Sequence, residues 1–265
     1  LREGPFKEIF VQPAAGDAGG SYGIASYIAH ALHRIPRTKA WPHCFWGPSY
    51  SNDEIATFLS GQNAAFTAYN QQDLITEVAQ RLANNQVVGW LQGRMEFGPR
   101  ALGNRSILAS PLHPDMKEIV NRKIKFRESF RPFAPSVMEE HCFEYFELDK
   151  ESPYMLLVAQ VRPDKRIIPS VTHVDGSARI QTVTQESNPL FYALLRKFYE
   201  LTGVPILINT SFNVRGEPVV CTPQDAWRCF LKTKMDVLVM GQYYLDKKRQ
   251  NAKMEASLQE HAVLD

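Results

Sequence analysis

The sequence predicts an α/β fold built on an open sheet with flanking helices. Three observations carry that prediction. Nearly continuous apolar runs at Val87–Leu91, Val204–Ile208 and Asp236–Met240 read as strands buried on both faces. Segments with apolar residues at helical spacing lie between them. Gly, Pro and short polar residues separate the two kinds of segment. At 265 residues, 44% apolar and 22% charged, the chain suits one large domain or a domain plus a fragment.

In chain order, Glu8–Gln12 reads as a short strand entering the Gly-rich turn of PAAGDAGGSYGIASYIAHAL, which continues as a helix. Backbone N–H groups at such a helix start can meet an anion. Asp17, inside the turn, either faces a ligand or caps the helix. Residues 36–69 are expected to be linker: Pro36, Pro42, Gly47 and Pro48 break any period, with one helical turn at Asp53–Phe58. Leu74, Ile75, Val78 and Leu82 predict a helix ended by Asn84 and Asn85. Val87–Leu91 then delivers the chain into Gly93-Arg94, just past a strand end, where ligands of open α/β sheets sit.

The stretch from Gly93 to Pro135 is the most charged part of the chain. Between Arg94 and Arg131 stand nine basic side chains against four acids, while the whole chain carries only +2. The cations alternate with Gly, Pro and Phe, unlike a solvated charge run. Arginine suits two-pronged contact with phosphate or carboxylate. A rigid anion site is one reading and a surface of ion pairs the other. Gly98, Pro99 and Gly103 stiffen and turn the loop, Ala101 and Leu102 anchor it, and Arg94, Arg100 and Arg105 are expected to project from it. Glu96 either holds one of these arginines or coordinates Mg2+. His113–Ile124 predicts an amphipathic helix with Lys117, Asn121 and Lys125 on its polar face. Pro132 and Pro135 favour extended chain beyond it, which would put Lys125 and Arg127 on one side.

Tyr154–Val161 reads as a strand, and THVDGSARIQTV as a turn at Asp175-Gly176 leading into another, with Arg179 and Gln181 on one face. His173, Asp175 and Arg179 serve either a site or the turn. Asn188–Thr202 predicts a helix stopped by Gly203. Asn209, Thr210, Ser211 and Asn213 follow the strand Val204–Ile208 and suit hydrogen bonds to a phosphate or carbonyl, or a local Asx/Ser turn. Thr222–Lys232 carries the cap, proline and N3 acid of a helix start. Residues 248–265 read as a tail.

Bulk features exclude several classes. No apolar run approaches the ~20 residues that span a bilayer. The N-terminus lacks the apolar core of a signal peptide, and the four cysteines show no CxxC pairing. A reducing, cytoplasmic setting is expected. The modest net charge argues against a general nucleic-acid binder. The first residue is not methionine, so the chain is expected to be a piece of something longer.

GRMEFGPRALGNRSIL, NRKIKFRESFRPFAPSV, HVDGSARIQTV and GVPILINTSFNVRGEPVVCTPQDA resemble the C-terminal domain of the O-carbamoyltransferase family of nodulation-factor and antibiotic biosynthesis. The likeness spans roughly residues 70–245, and PAAGDAGGSYGIA resembles the end of that family's N-terminal, Kae1-like domain. The resemblance implies a YrdC-like twisted open sheet over residues 70–247, preceded at 1–35 by a remnant of a Kae1-like domain of the actin/Hsp70-type ATPase fold. Lys125-Phe126-Arg127 and Ser211-Phe212-Asn213 match the Lys-x-Arg and Ser-x-Asn elements of YrdC-like nucleotide sites. In the family, carbamoyl phosphate and ATP with Mg2+ give carbamoyl adenylate and pyrophosphate. The N-terminal domain, with an Fe2+ centre, then passes the carbamoyl group to a hydroxyl of a sugar or antibiotic-like acceptor. Of the iron ligands only Asp17 has a match. Ser110-Pro111 departs from the family's expected Asp-Pro. The resemblance thus implies phosphate-binding roles for Arg94, Arg100, Arg105, Lys125, Arg127 and Arg131. Asn121, Ser211 and Asn213 would orient substrates, while Glu96, Arg179, Asn209 and Thr210 would complete the site. A YrdC-like module that binds RNA or nucleotide without catalysis is the alternative.

Overall fold

A computed structural model describes residues 4–6, 8–37, 43–128 and 130–251. Among these, nine strands form one mixed sheet: β1 (Thr67–Ala68), β2 (Val88–Leu91), β3 (Arg105–Ala109), β4 (Ala134–Met138), β5 (Leu157–Gln160), β6 (Ser177–Val183), β7 (Ile206–Ser211), β8 (Val237–Met240) and β9 (Tyr243–Asp246), in the order β1-β9-β8-β2-β3-β7-β4-β6-β5. The pairs β2/β8 and β4/β6 are parallel and the others antiparallel. The strands β2, β3, β4 and β8 are buried throughout, β2 and β8 as their apolar runs require.

Seven α-helices accompany the sheet in the described residues: α1 (Gly20–Tyr27), α2 (Asn52–Gly61), α3 (Gln71–Ala83), α4 (Met116–Val120), α5 (Cys142–Tyr145), α6 (Pro189–Thr202) and α7 (Pro223–Lys232). Helices α3 and α6 cover one face, burying Leu74, Val78, Leu82, Phe191, Leu194 and Phe198 against Trp90, Leu108 and Leu207. On the other face Ile55 of α2, Val120 of α4 and Phe230 of α7 join Ile107, Ile208 and Leu238. The starts are set by sequence. The Asn70 side chain accepts from Asp73 N–H, Asn188 caps α6 with Pro189 behind it, and Thr222 with Asp225 forms a capping box. Gly203 ends α6 at φ 74°.

Several expectations are corrected. Residues 52–61, inside the expected linker, form a full helix. Ser51 and Glu54 build a capping box, and Ile55 and Leu59 are buried. Glu8–Gln12 form no strand, because no neighbouring strand pairs with their backbone groups. The helix expected from His113 starts at Met116 and passes into a π-helical turn at Asn121–Lys125. Phe126 follows in the left-handed region at φ 47°, so Lys125 and Arg127 do not share one side of an extended chain. The strand expected at Val204–Ile208 begins at Ile206 and runs through Ser211, taking in Asn209, Thr210 and Ser211.

Candidate anion site

The site grows from the loop between β2 and β3. Glu96 holds this loop through backbone, not through an arginine: its Oε1 accepts N–H bonds from Leu102 (2.7 Å), Asn104 (2.9 Å) and Arg105 (3.2 Å). Its other oxygen is closed from solvent without a partner. Gly103 sits at φ 109°, and a Cβ there would lie 2.4 Å from the Phe191 ring, so only glycine allows the loop to approach α6. Gly98 sits at φ 137° with the Pro13 carbonyl against it, where a Cβ would be 2.6 Å away. The segment before α1 is thereby pressed onto the arginine loop.

A polar layer ties this loop to the sheet. Along β4, β6 and β7 alternate residues face the same way, which groups Ser136, Gln181 and Asn209. Ser136 Oγ donates to Gln181 Oε1 (2.5 Å), and Asn209 Nδ2 donates to the same oxygen (2.9 Å) and to the Ala101 carbonyl (3.2 Å). Gln181 Nε2 donates to the Leu102 carbonyl at 2.9 Å. Gln181 and Ser136 were not among the expected site residues. The alternation in SARIQTV was the signal for Gln181; nothing in the sequence marked Ser136.

Arg179, two positions from Gln181 on β6, projects on that face. Burial, with the charges of Arg100 and then Arg127, pushes its guanidinium down to about 10. Among the described residues its Nη2 meets only the Met155 sulfur, at 3.8 Å, and the Nε atoms of both Arg179 and Arg100 are buried without partners. Arg127 Nε donates to Asn121 Oδ1 at 2.7 Å, and its guanidinium lies over Phe133. Burial and Arg131 depress it, while Glu128 opposes them. Asn121 is buried and fixed from the other end, its Nδ2 donating to the Arg131 carbonyl. Arg179 thus lies within electrostatic reach of Arg100 and Arg127, the Nε donors of Arg100 and Arg179 are left over, and among the described residues no carboxylate forms an ion pair with Arg100, Arg127 or Arg179.

Lys125 is 4% exposed. Its Nζ donates toward Asn213 Oδ1 (2.7 Å), Asn213 O (3.0 Å), Ser211 Oγ (3.1 Å) and Ser211 O. Burial, then the Arg127 charge, pushes it down to about 7. Ser211 Oγ also donates to Asn213 Oδ1, whose amide is held by the Glu217 carbonyl. The two short motifs 125–127 and 211–213, far apart in sequence, are thus one hydrogen-bonded unit.

Other expected site residues lie elsewhere. Arg105 does not project from the loop: it is fully buried, with its guanidinium donating to the carbonyls of Gln92, Gly93, Asn104, Pro48 and Cys221. Arg94 donates to the Trp46 and Gly47 carbonyls. Arg131 is exposed and pairs with Glu128 at 3.1 Å. Thr210 pairs with Ile107 in the sheet and alternates away from Asn209 and Ser211. Asp175 accepts from the Ser177 backbone and hydroxyl, with His173 on the same hydroxyl, so this turn holds itself together. Asp17 lies exposed in a short 3-10 turn and makes no capping hydrogen bond. Among the described residues no group of three or more His, Cys, Asp or Glu side chains gathers as metal ligands. No helix there is long and apolar enough to cross a membrane.

Comparison with known proteins gives the family. The family described as "Carbamoyltransferase C-terminus" matches residues 79–247. The chain is 48% identical to the protein sll1178 of Synechocystis sp., over all of this chain and 48% of that one. It is 42% identical to nodulation protein NolO of Bradyrhizobium diazoefficiens, over all of this chain and 48% of that one. It is 39% identical to 3'-hydroxymethylcephem-O-carbamoyltransferase of Amycolatopsis lactamdurans, over 81% of this chain and 39% of that one. The chain thus spans about half the length, or less, of these relatives. With its matched region running from α3 to the end of β9 and containing the whole arginine and lysine site, the chain belongs to the carbamoyltransferase C-terminal family.

Proposed function

We propose that this chain forms carbamoyl adenylate from carbamoyl phosphate and ATP. The observation that supports the reading is the grouping of Arg179 with Arg100 and Arg127, with the buried Nε donors of Arg100 and Arg179 unpartnered and, among the described residues, no ion-paired acid on any of the three. Like charges gathered without a counter-ion are unfavourable in the free protein, and such pockets are retained where an anionic ligand supplies the opposite charge. Planar guanidiniums match phosphate and carbamate oxygens. The Lys125–Ser211–Asn213 unit supplies a second cation and fixed amides beside them, suited to the polyphosphate of ATP.

The chemistry balances with one water. Water releases phosphate from carbamoyl phosphate and leaves carbamate. A carbamate oxygen attacks the α-phosphorus of ATP, and the bond to the bridging oxygen of the β-phosphate breaks, giving carbamoyl adenylate and pyrophosphate. Negative charge accumulates around phosphorus in this step, so fixed cations provide the main stabilisation and no covalent nucleophile is needed. In this reading Asn121 orients Arg127, and the Ser136–Gln181–Asn209 layer holds the loop bearing Arg100. Mg2+ fits as a partner of the ATP phosphates; the closed Glu96 oxygen could reach it only if the loop opened. Arg105 and Arg94 brace the loop. By the family resemblance of the sequence motifs, a further, Kae1-like domain would pass the carbamoyl group to a hydroxyl-bearing acceptor, with Asp17 as one ligand of an iron site completed by that domain.

The test is carbamoyl-phosphate-dependent release of pyrophosphate from ATP by the purified protein. Release that needs both substrates and falls by about tenfold or more in Arg179→Ala supports the reading. No release from a folded protein that also fails to bind ATP sinks it.

A further inference from the structure

A second basic cavity lies at the opposite end of β2 from Gly93. A groove of about 480 Å3 opens between the end of α7, the start of β8, the end of β9 and the π-helical turn. Lys123, Lys232, Lys234, Lys247 and Lys248 line it, with Phe126 at its side. Its acids are already committed. Asp236 accepts the Val87 N–H at 2.8 Å, and Asp246 accepts the Lys248 N–H at 2.8 Å while facing Arg81 at 3.9 Å. Two of the lysines are committed as well. Lys247 donates to the Phe230 and Leu231 carbonyls at the end of α7, and Lys232 pairs with Glu217. Lys123, Lys234 and Lys248 have no acidic partner among the described residues. Phe126 is 54% exposed and sits at φ 47°, an uncommon conformation for a bulky residue and one found at ligand sites.

We propose that this groove is a second, non-reacting site for a nucleoside polyphosphate. Its volume falls in the range of small-molecule pockets. Five lysines against two aspartates leave the groove net positive, its three lysines without an ion-pair partner match a polyphosphate chain, and the exposed face of Phe126 offers a stacking surface for a base, a contact that needs no particular base edge. The inference does not rest on the adenylation chemistry, because the groove uses none of the residues assigned to it.

Calorimetric titration with MgATP, without carbamoyl phosphate, tests it. The parent is expected to show two binding events per chain. Lys234→Glu/Lys248→Glu is expected to weaken one of them by about tenfold or more while leaving pyrophosphate release intact. Arg179→Ala is expected to remove only the other. Phe126→Leu separates a nucleotide from a bare polyphosphate: it should weaken ATP at this site and leave inorganic triphosphate unchanged. A single event indifferent to the lysine changes, two events both indifferent to them, or equal effects of Phe126→Leu on ATP and triphosphate would each overturn the proposal, whereas a single event weakened by the lysine changes would support the groove and count against ATP at the arginines. Lys234→Ser/Lys248→Ser serves if the glutamate pair does not fold.

Discussion

Lys125 Nζ and Asn213 Oδ1 lie 2.7 Å apart, joining the end of a π-helical turn to the residue two positions beyond β7. This contact, with those to Ser211, fixes a buried amine beside the arginine pocket. Its depressed pKa of about 7 has two consequences. Between about 7 and the ordinary lysine value of 10.5 the unfolded chain binds more protons than the folded one, so folding stability should rise with pH across that window. An anion bound beside Lys125 favours its charged form, so ATP binding near pH 8 should take up protons and weaken as pH increases. Calorimetry in buffers of different ionisation enthalpy measures the uptake. Lys125→Met should abolish it and weaken ATP binding, and unchanged proton uptake in that variant would remove Lys125 from the site.

Arg179 should separate binding from stability. It is flanked by Arg100 and Arg127 and has no described acidic partner, so replacing it removes repulsion rather than an ion pair. Arg179→Ala is expected to leave Tm unchanged or slightly raised, and to lower kcat/KM for pyrophosphate release by about 10- to 100-fold, the worth of a hydrogen bond to a charged group. Arg179→Lys should recover little, because an ammonium cannot supply the planar fork. A large fall in Tm for Arg179→Ala would show the residue to be structural.

Arg105 should behave in the opposite way. Its five carbonyl partners lie in four separate stretches of chain, at Pro48, Gln92–Gly93, Asn104 and Cys221. Arg105→Met leaves those carbonyls without their donor and should cost about 3 kcal/mol or more, whereas exposed Arg94→Ala should cost about 1 kcal/mol or less. Chemical denaturation of the two variants measures the difference. Equal, small costs would mean that Arg105 is dispensable to the fold.

The contrast between these two arginines shows where the sequence is legible. The helices α3, α6 and α7 and the strands β2 and β8 follow from caps, stop signals and apolar periodicity, all local properties. The strands β3 and β4 do not. RSILA begins on a charged residue, and APSVM carries Pro135, so neither looks like a central strand until its partners on β7 are known. Arg105 reads as a free cation because its neutral partners at Pro48 and Cys221 are more than fifty positions away. Asn209 reads as a loop residue because the apolar run stops one position before it, although the sheet continues. The pairing of Lys125 with Ser211 and Asn213 was signalled only by resemblance. No local pattern ties residues 125 and 213, and the π-helical turn that aims Lys125 has no composition of its own.

The contact between Pro13 and Gly98 also works as a ruler. Asp17 follows Pro13 by four positions and Arg100 follows Gly98 by two. Since each residue spans at most about 3.6 Å, the backbone at Asp17 and at Arg100 can be no more than about 25–30 Å apart. On the proposed function, a carbamoyl adenylate made at the arginines would form within about 30 Å of the N-terminal turn. Transfer organised around that turn would then pass between two parts of one chain rather than between separate molecules.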